Sequence, residues 1–331
     1  MNRHAGILPR FCKWPLALGA LLTSLVGSAH AQTRGQLTPN SRFEREHPGQ
    51  WTMLHAGLAL GGFATAATID LLGGESSSPC GAPRSSYPSF DRSVESYLST
   101  SAHGASNVTV TSAVVVPVAA QFSDGFNREF EKALIVQSQA LMATLVVTNA
   151  AKELVKRPRP YTRNPHALDL CRQKGIVGEA DVSFPSGHSA SAFAGAMAGA
   201  LLYTARTDDM AARHVMWGAE FALAAATAEL RVFGGRHYRS DVLVGSALGA
   251  AFGLFVPSLH GVGTPRVEAS EWLTGVGAAT VTVLLLEGLH AWRPNFALWQ
   301  PDVMQPAGAA TWRLEPRMGT LGVGLDVAGT W

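Results

Sequence analysis

The chain has 331 residues, enough for one large domain or two small ones, and no segment repeats at the period of a solenoid. Charged residues make up 15% and hydrophobic ones 47%, so most helix surface must be covered, yet the mean hydropathy is only +0.12. The net charge of +2 rests on the first residues: without 1–31, which hold Arg3, Arg10 and Lys13 and no acidic residue, it is −1, so no general binding of polyanions follows from it and no nucleic acid is expected as a partner.

Those first residues read as a secretory signal peptide, 1–31: a basic start, a short apolar run over 14–27 and Ala29-His30-Ala31 as the cleavage site. The run is shorter than the roughly 20 residues of a spanning helix. Cys80 and Cys171 then remain as a candidate disulfide in an exported chain. Residues 32–50 form a polar lead-in with Pro39 and Pro48.

A helical domain is expected over 51–291. Its helices are read at 51–72, 108–122, 128–156, 189–204, 211–229, 241–259 and 271–291, with a short amphipathic stretch at 90–100. His55 and His103 are read as core or surface histidines. Glu129 and Glu131 suit the positive end of the helix beginning at 128, and Pro158 and Pro160 end it. Residues 292–331 form an irregular tail with alternating stretches at 311–314 and 321–327, read as a terminal hairpin docked on the helices. The fold class expected is thus an all-α bundle with a short C-terminal β-hairpin.

Three stretches carry chemistry. Lys152 lies in the last turns of one helix, and Arg159 follows seven residues later between Pro158 and Pro160, a bracket that limits the entropy lost when a guanidinium forks onto an oxyanion. In Phe184-Pro185-Ser186-Gly187-His188-Ser189, a serine can cap the following helix, whose first N–H groups and dipole favour an anion, with His188 at that end. In Arg231-Val-Phe-Gly-Gly-Arg-His237-Tyr-Arg-Ser-Asp241, a helix starting near His237 puts Asp241 on the same face, within reach of the imidazole. Taken singly, each is more often a solvated helix end or a capping pair than a site.

The order Lys-x6-Arg-Pro, Pro-Ser-Gly-His, Arg-x5-His-x3-Asp, over residues 152–241, closely resembles the type 2 phosphatidic acid phosphatase superfamily. That superfamily includes bacterial class A acid phosphatases and vanadium-dependent haloperoxidases. Leu230 departs from it, where the family often has Ser. The resemblance implies a helical bundle of the acid phosphatase/haloperoxidase type and a metal-independent phosphomonoesterase acting on a lipid phosphate, a lipid pyrophosphate or a small phosphoester. It also implies roles: Lys152, Arg159, Ser186, Gly187 and Arg231 bind phosphate, His237 attacks phosphorus, Asp241 orients it and His188 protonates the leaving alcohol. No cofactor or metal is expected, although vanadate could occupy the pocket. The alternatives are a haloperoxidase or a non-catalytic anion-binding envelope protein.

The location expected is that of an exported protein of the bacterial periplasm or cell envelope, soluble or peripheral in preference to integral in the membrane, with a membrane surface allowed as a partner. Arg206, Asp208, Asp209, Arg213, Glu220 and Glu229 in and beside the 211–229 helix argue against a bilayer, whereas 242–265, free of Asp, Glu, Lys and Arg, argues for one.

Overall fold

The computed structural model describes residues 41–73, 80–81, 86–122, 125–164, 180–262 and 266–292, and the backbone of 311–319 and 322–330. The signal peptide, Cys171 and the irregular tail up to 310 lie outside the described residues. Seven long helices occupy the described part: α1 (Pro48–Leu72), α2 (Thr100–Gln121), α3 (Arg128–Val155), α4 (Gly187–Arg206), α5 (Met210–Phe233), α6 (Arg239–Leu259) and α7 (Ala269–Trp292). Strands Thr311–Gly319 and Gly322–Thr330 run antiparallel.

Local chemistry sets most helix starts. Ser99, Asn127, Ser186 and Asp209 each accept a first-turn N–H through the side chain, meeting donors that the helix cannot satisfy itself. Helix α3 ends as Lys156 turns left-handed (φ 47°) ahead of Pro158. Successive helices alternate in direction, so one end of the bundle gathers the C-termini of α1, α3, α5 and α7 and the N-termini of α2, α4 and α6. Contacts between Arg231 and His103, Arg239 and Glu287, and His290 and Tyr97 mark that end.

Helix α4 is the axis, with 15 of its 20 residues buried. Its alanines leave room for backbone to approach backbone. Gly245, Gly249 and Gly253, four apart along α6, lie over it so closely that an added Cβ would come 2.4, 2.0 and 2.8 Å from the carbonyl oxygens of Ser186, Ala190 and Ala194. This small-residue seam is the kind that joins helices where no water drives them together. Gly195 and Gly199 do the same toward α2, against Ala113 and Pro117. Helix α1 packs on α3, and α7 on α5.

The outer helices overturn the expected location. Pro48–Leu72, Arg128–Arg163, Arg239–Leu259 and Ala269–Trp292 are long and apolar enough to cross a bilayer, and in the first and last only 11% and 6% of the apolar window is buried in the protein. Leu54, Leu58, Leu60, Leu273, Leu284 and Leu285 face outward. These features mark a membrane protein, and the expectation of a soluble or peripheral one is corrected accordingly. The charges that had argued against lipid sit on α5, the turn before it and the last residue of α4. Arg213 donates to the carbonyls of Thr204 and Thr207, Arg206 to that of Gln121, and Glu220 is fully buried. A charge on a helix enclosed by other helices never meets lipid.

Candidate active site

The cation- and imidazole-bearing segments meet at the end of the bundle described above. Lys152, Arg159, Gly187, His188, Arg231 and His237 line a single cavity of about 580 Å³, together with Asp70, His103, Val110, Leu145, Asn149, Ser191 and Arg236. Residues far apart in sequence are brought there by helix ends: Lys152 by the last turn of α3, Arg231 by the last turn of α5, and His188 by the first turn of α4. Arg159 is held between prolines by its own N–H to the Ala180 carbonyl (2.7 Å).

His237 is buried, and its two nitrogens are distinguished by their neighbours. Nδ1 lies 2.6 Å from the carbonyl oxygen of Ser183, which can only accept, so Nδ1 carries the hydrogen. Nε2 therefore presents its lone pair, 3.3 Å from Arg159 Nη1 and 3.4 Å from Arg231 Nη2. Burial, then the charges of Arg159, Arg231 and Lys152, push the His237 pKa well below its usual 6.5 and keep the ring neutral. A neutral imidazole with a lone pair between two guanidiniums is placed to attack an anion that they hold.

Asp241 stands differently from the sequence reading. Helix α6 starts at Arg239, two residues after His237, so the pair does not share a helical face. Asp241 Oδ2 is 3.9 Å from His237 Nδ1. That oxygen accepts instead from the Tyr238 N–H (2.8 Å) and the Ser183 hydroxyl (2.6 Å), while Oδ1 pairs with Arg157. The carboxylate thus caps α6 and fixes Ser183, whose carbonyl is the group that touches the histidine. Arg157 also reaches Asp91 (2.9 Å) and lies between the rings of Tyr87 and Tyr238, 4.4 and 4.2 Å from their centroids.

Ser186 is fully buried and absent from the cavity wall; its oxygen accepts the Ser189 N–H at 3.3 Å and so caps α4. Gly187 does line the wall, and a Cβ there would sit 3.3 Å from Lys152 Nζ. Gly235, at φ 64°, is packed so that a Cβ would come 2.1 Å from the Tyr97 carbonyl oxygen, so the turn carrying His237 requires glycine.

Sequence reasoning missed a contribution from α2. His103 Nδ1 lies 2.6 Å from Arg231 Nη1, and since a guanidinium only donates, that nitrogen accepts. Burial and the charges of Arg231, Arg236 and Arg159 lower the His103 pKa to about 3. His188 Nε2 lies 2.9 Å from Asn107 Oδ1. Burial and the positive charge of Arg231, Lys152 and Arg159, with His103, lower the His188 pKa well below 6.5. The available signal was the four-residue spacing of His103 and Asn107, one turn apart on a helix.

Cys80, just beyond the C-terminus of α1, is disulfide-bonded; the partner expected for it, Cys171, is outside the described residues. Among the described residues no cluster of three or more His, Cys, Asp or Glu could hold a metal ion. Residues 133–263 match the family model of the PAP2 superfamily, a span that includes each expected phosphate-binding and catalytic residue. No solved structure matches the chain.

Proposed function

From a chain that belongs to the PAP2 superfamily through residues 133–263, a family whose members are in general phosphatases of phosphorylated lipids or small phosphates, we propose a phosphomonoesterase working through a phosphohistidine. The observation that carries this reading is the placement of His237 Nε2 between Arg159 and Arg231 with Nδ1 held by the Ser183 carbonyl.

In the first step the Nε2 lone pair attacks phosphorus and the ester P–O bond breaks. Arg159, Arg231, Lys152 and the Gly187 N–H at the α4 terminus take the charge that gathers on the phosphoryl oxygens. Ser186 acts through its cap, which keeps that terminus in place. His188 gives its proton to the leaving oxygen. A dianionic phosphate offsets the cations that favour a neutral His188, so the ring gains its proton as substrate binds. In the second step His188 takes a proton from water, which attacks the phosphohistidine and releases phosphate. Several fixed cations already do the charge neutralisation that a metal could offer, so the reading requires none.

Val110 and Leu145 give the cavity an apolar wall, and the bundle carries lipid-facing helices around it. Both support a lipid phosphate as substrate ahead of a soluble ester. The test is a panel of phosphate esters, acyl-bearing and soluble, presented to protein reconstituted in bilayers. Phosphate release favouring the acyl-bearing esters is expected. Equal rates on both kinds would remove the lipid preference, and release from none would favour an anion-binding protein.

A further inference from the structure

One contact of His188 comes from outside the three motifs and outside the family-matched segment. Asn107 is on α2, and its side-chain oxygen is 2.9 Å from His188 Nε2. An amide oxygen can only accept, so the contact places a hydrogen on Nε2 and leaves Nδ1 as the nitrogen able to pass a proton. On the same helix His103, one turn earlier, holds Arg231 at 2.6 Å, and Ser106 Oγ lies 3.5 Å from the same Nη1. One face of α2 thus touches both the proposed acid and a proposed phosphate-binding arginine.

We propose that Asn107 is the positioning residue for His188: it holds Nε2–H and so turns Nδ1 to the leaving oxygen. Around His188 stand Lys152, Arg159 and Arg231, each a cation; the Asn107 oxygen brings the negative end of a dipole to the ring. Without it the neutral ring can change tautomer and the charged ring can rotate, so that Nδ1–H no longer points at the ester. The consequence is selective. An alkoxide leaving group needs the proton, whereas 4-nitrophenolate leaves without one, so only the first reaction depends on where that proton sits. The kinetic part of this proposal rests on the phosphatase reading given above.

Asn107 is itself exposed, so its replacement leaves the packed interior intact. The experiment compares Asn107→Leu, which keeps the shape and loses the acceptor, with Asn107→Asp, which keeps the acceptor. For Asn107→Leu, kcat/KM on an alkyl phosphate should fall by about tenfold or more while that on 4-nitrophenyl phosphate changes by less than about threefold, a part of the 10²–10⁴ that general acid catalysis supplies. Asn107→Asp should recover most of the loss. In parallel, ¹⁵N spectra of histidine-labelled protein should show His188 with hydrogen on Nε2, and a mixed or reversed tautomer in Asn107→Leu. Equal losses on the two esters, or an unchanged tautomer in Asn107→Leu, would overturn the proposal. If the unmodified protein hydrolyses neither ester, the phosphatase reading falls, and the ¹⁵N measurement still decides the role of Asn107.

Discussion

Helices α5 and α7 pack side by side and are each 24 residues long, but they meet different surroundings. Fifteen residues of α5 are buried, among them Arg213, Glu220, Glu229 and Arg231; in α7 only Glu271 and Gly275 are. The polar helix is inside and the apolar one outside, the reverse of a protein folded in water. Charge on a helix therefore says little about a bilayer until its neighbours are known. Here it marks the helix that delivers Arg231 to the site.

The sharpest way to break this contrast is to exchange polarity on each helix. Leu284→Arg on the outward face of α7 should cost about 2.5–3.5 kcal/mol of insertion free energy, the penalty for an arginine at the centre of a spanning helix. Membrane integration assays of the two forms would measure it. Glu220→Met on α5 should have the opposite sign and raise the melting temperature, because both carboxylate oxygens of Glu220 are buried without a hydrogen-bond partner among the described residues. A neutral Leu284→Arg would mean that α7 meets water.

A smaller effect separates the glycines. Gly249→Ala on α6 forces a methyl against the Ala190 carbonyl and should destabilise by about 1–3 kcal/mol, the usual cost of overpacking. Gly277→Ala on α7 meets nothing within 4 Å and should be neutral or stabilising by up to about 1 kcal/mol. Thermal unfolding in one detergent compares them directly.

A separate effect is on pH dependence. His103, His188 and His237 all have pKa values depressed from 6.5. Below 6.5 the unfolded chain binds protons that the folded chain refuses, so stability is fully present above that pH and declines as pH falls toward the folded values. For His103 that window runs from 6.5 to about 3. Melting temperatures measured between pH 7 and 5 should fall, and less so in His103→Asn.

The same contrast explains what the sequence could convey. The cationic motifs were legible because prolines, glycines and charged residues leave marks that survive without coordinates. The apolar run predicts a start for α2 at 108, whereas the helix begins at Thr100, so His103 and Asn107 fall outside the predicted helix. Its first turns are small and polar because they face the site, and an apolar periodicity cannot register them. The Ser183 carbonyl that holds His237 was out of reach for another reason: a backbone oxygen has no residue signature, and Asp241 was the visible candidate in its place. The bilayer was missed because counting charges along α5 gives no account of the helices that enclose it.

The central claim is that His237 becomes phosphorylated. Rapid acid-free quenching of the protein with a ³²P-labelled phosphate ester, followed by peptide mapping, tests it most directly. An acid-labile, base-stable label on the peptide containing His237, absent from His237→Ala, is the predicted result; turnover of the ester by His237→Ala at the unmodified rate would contradict it.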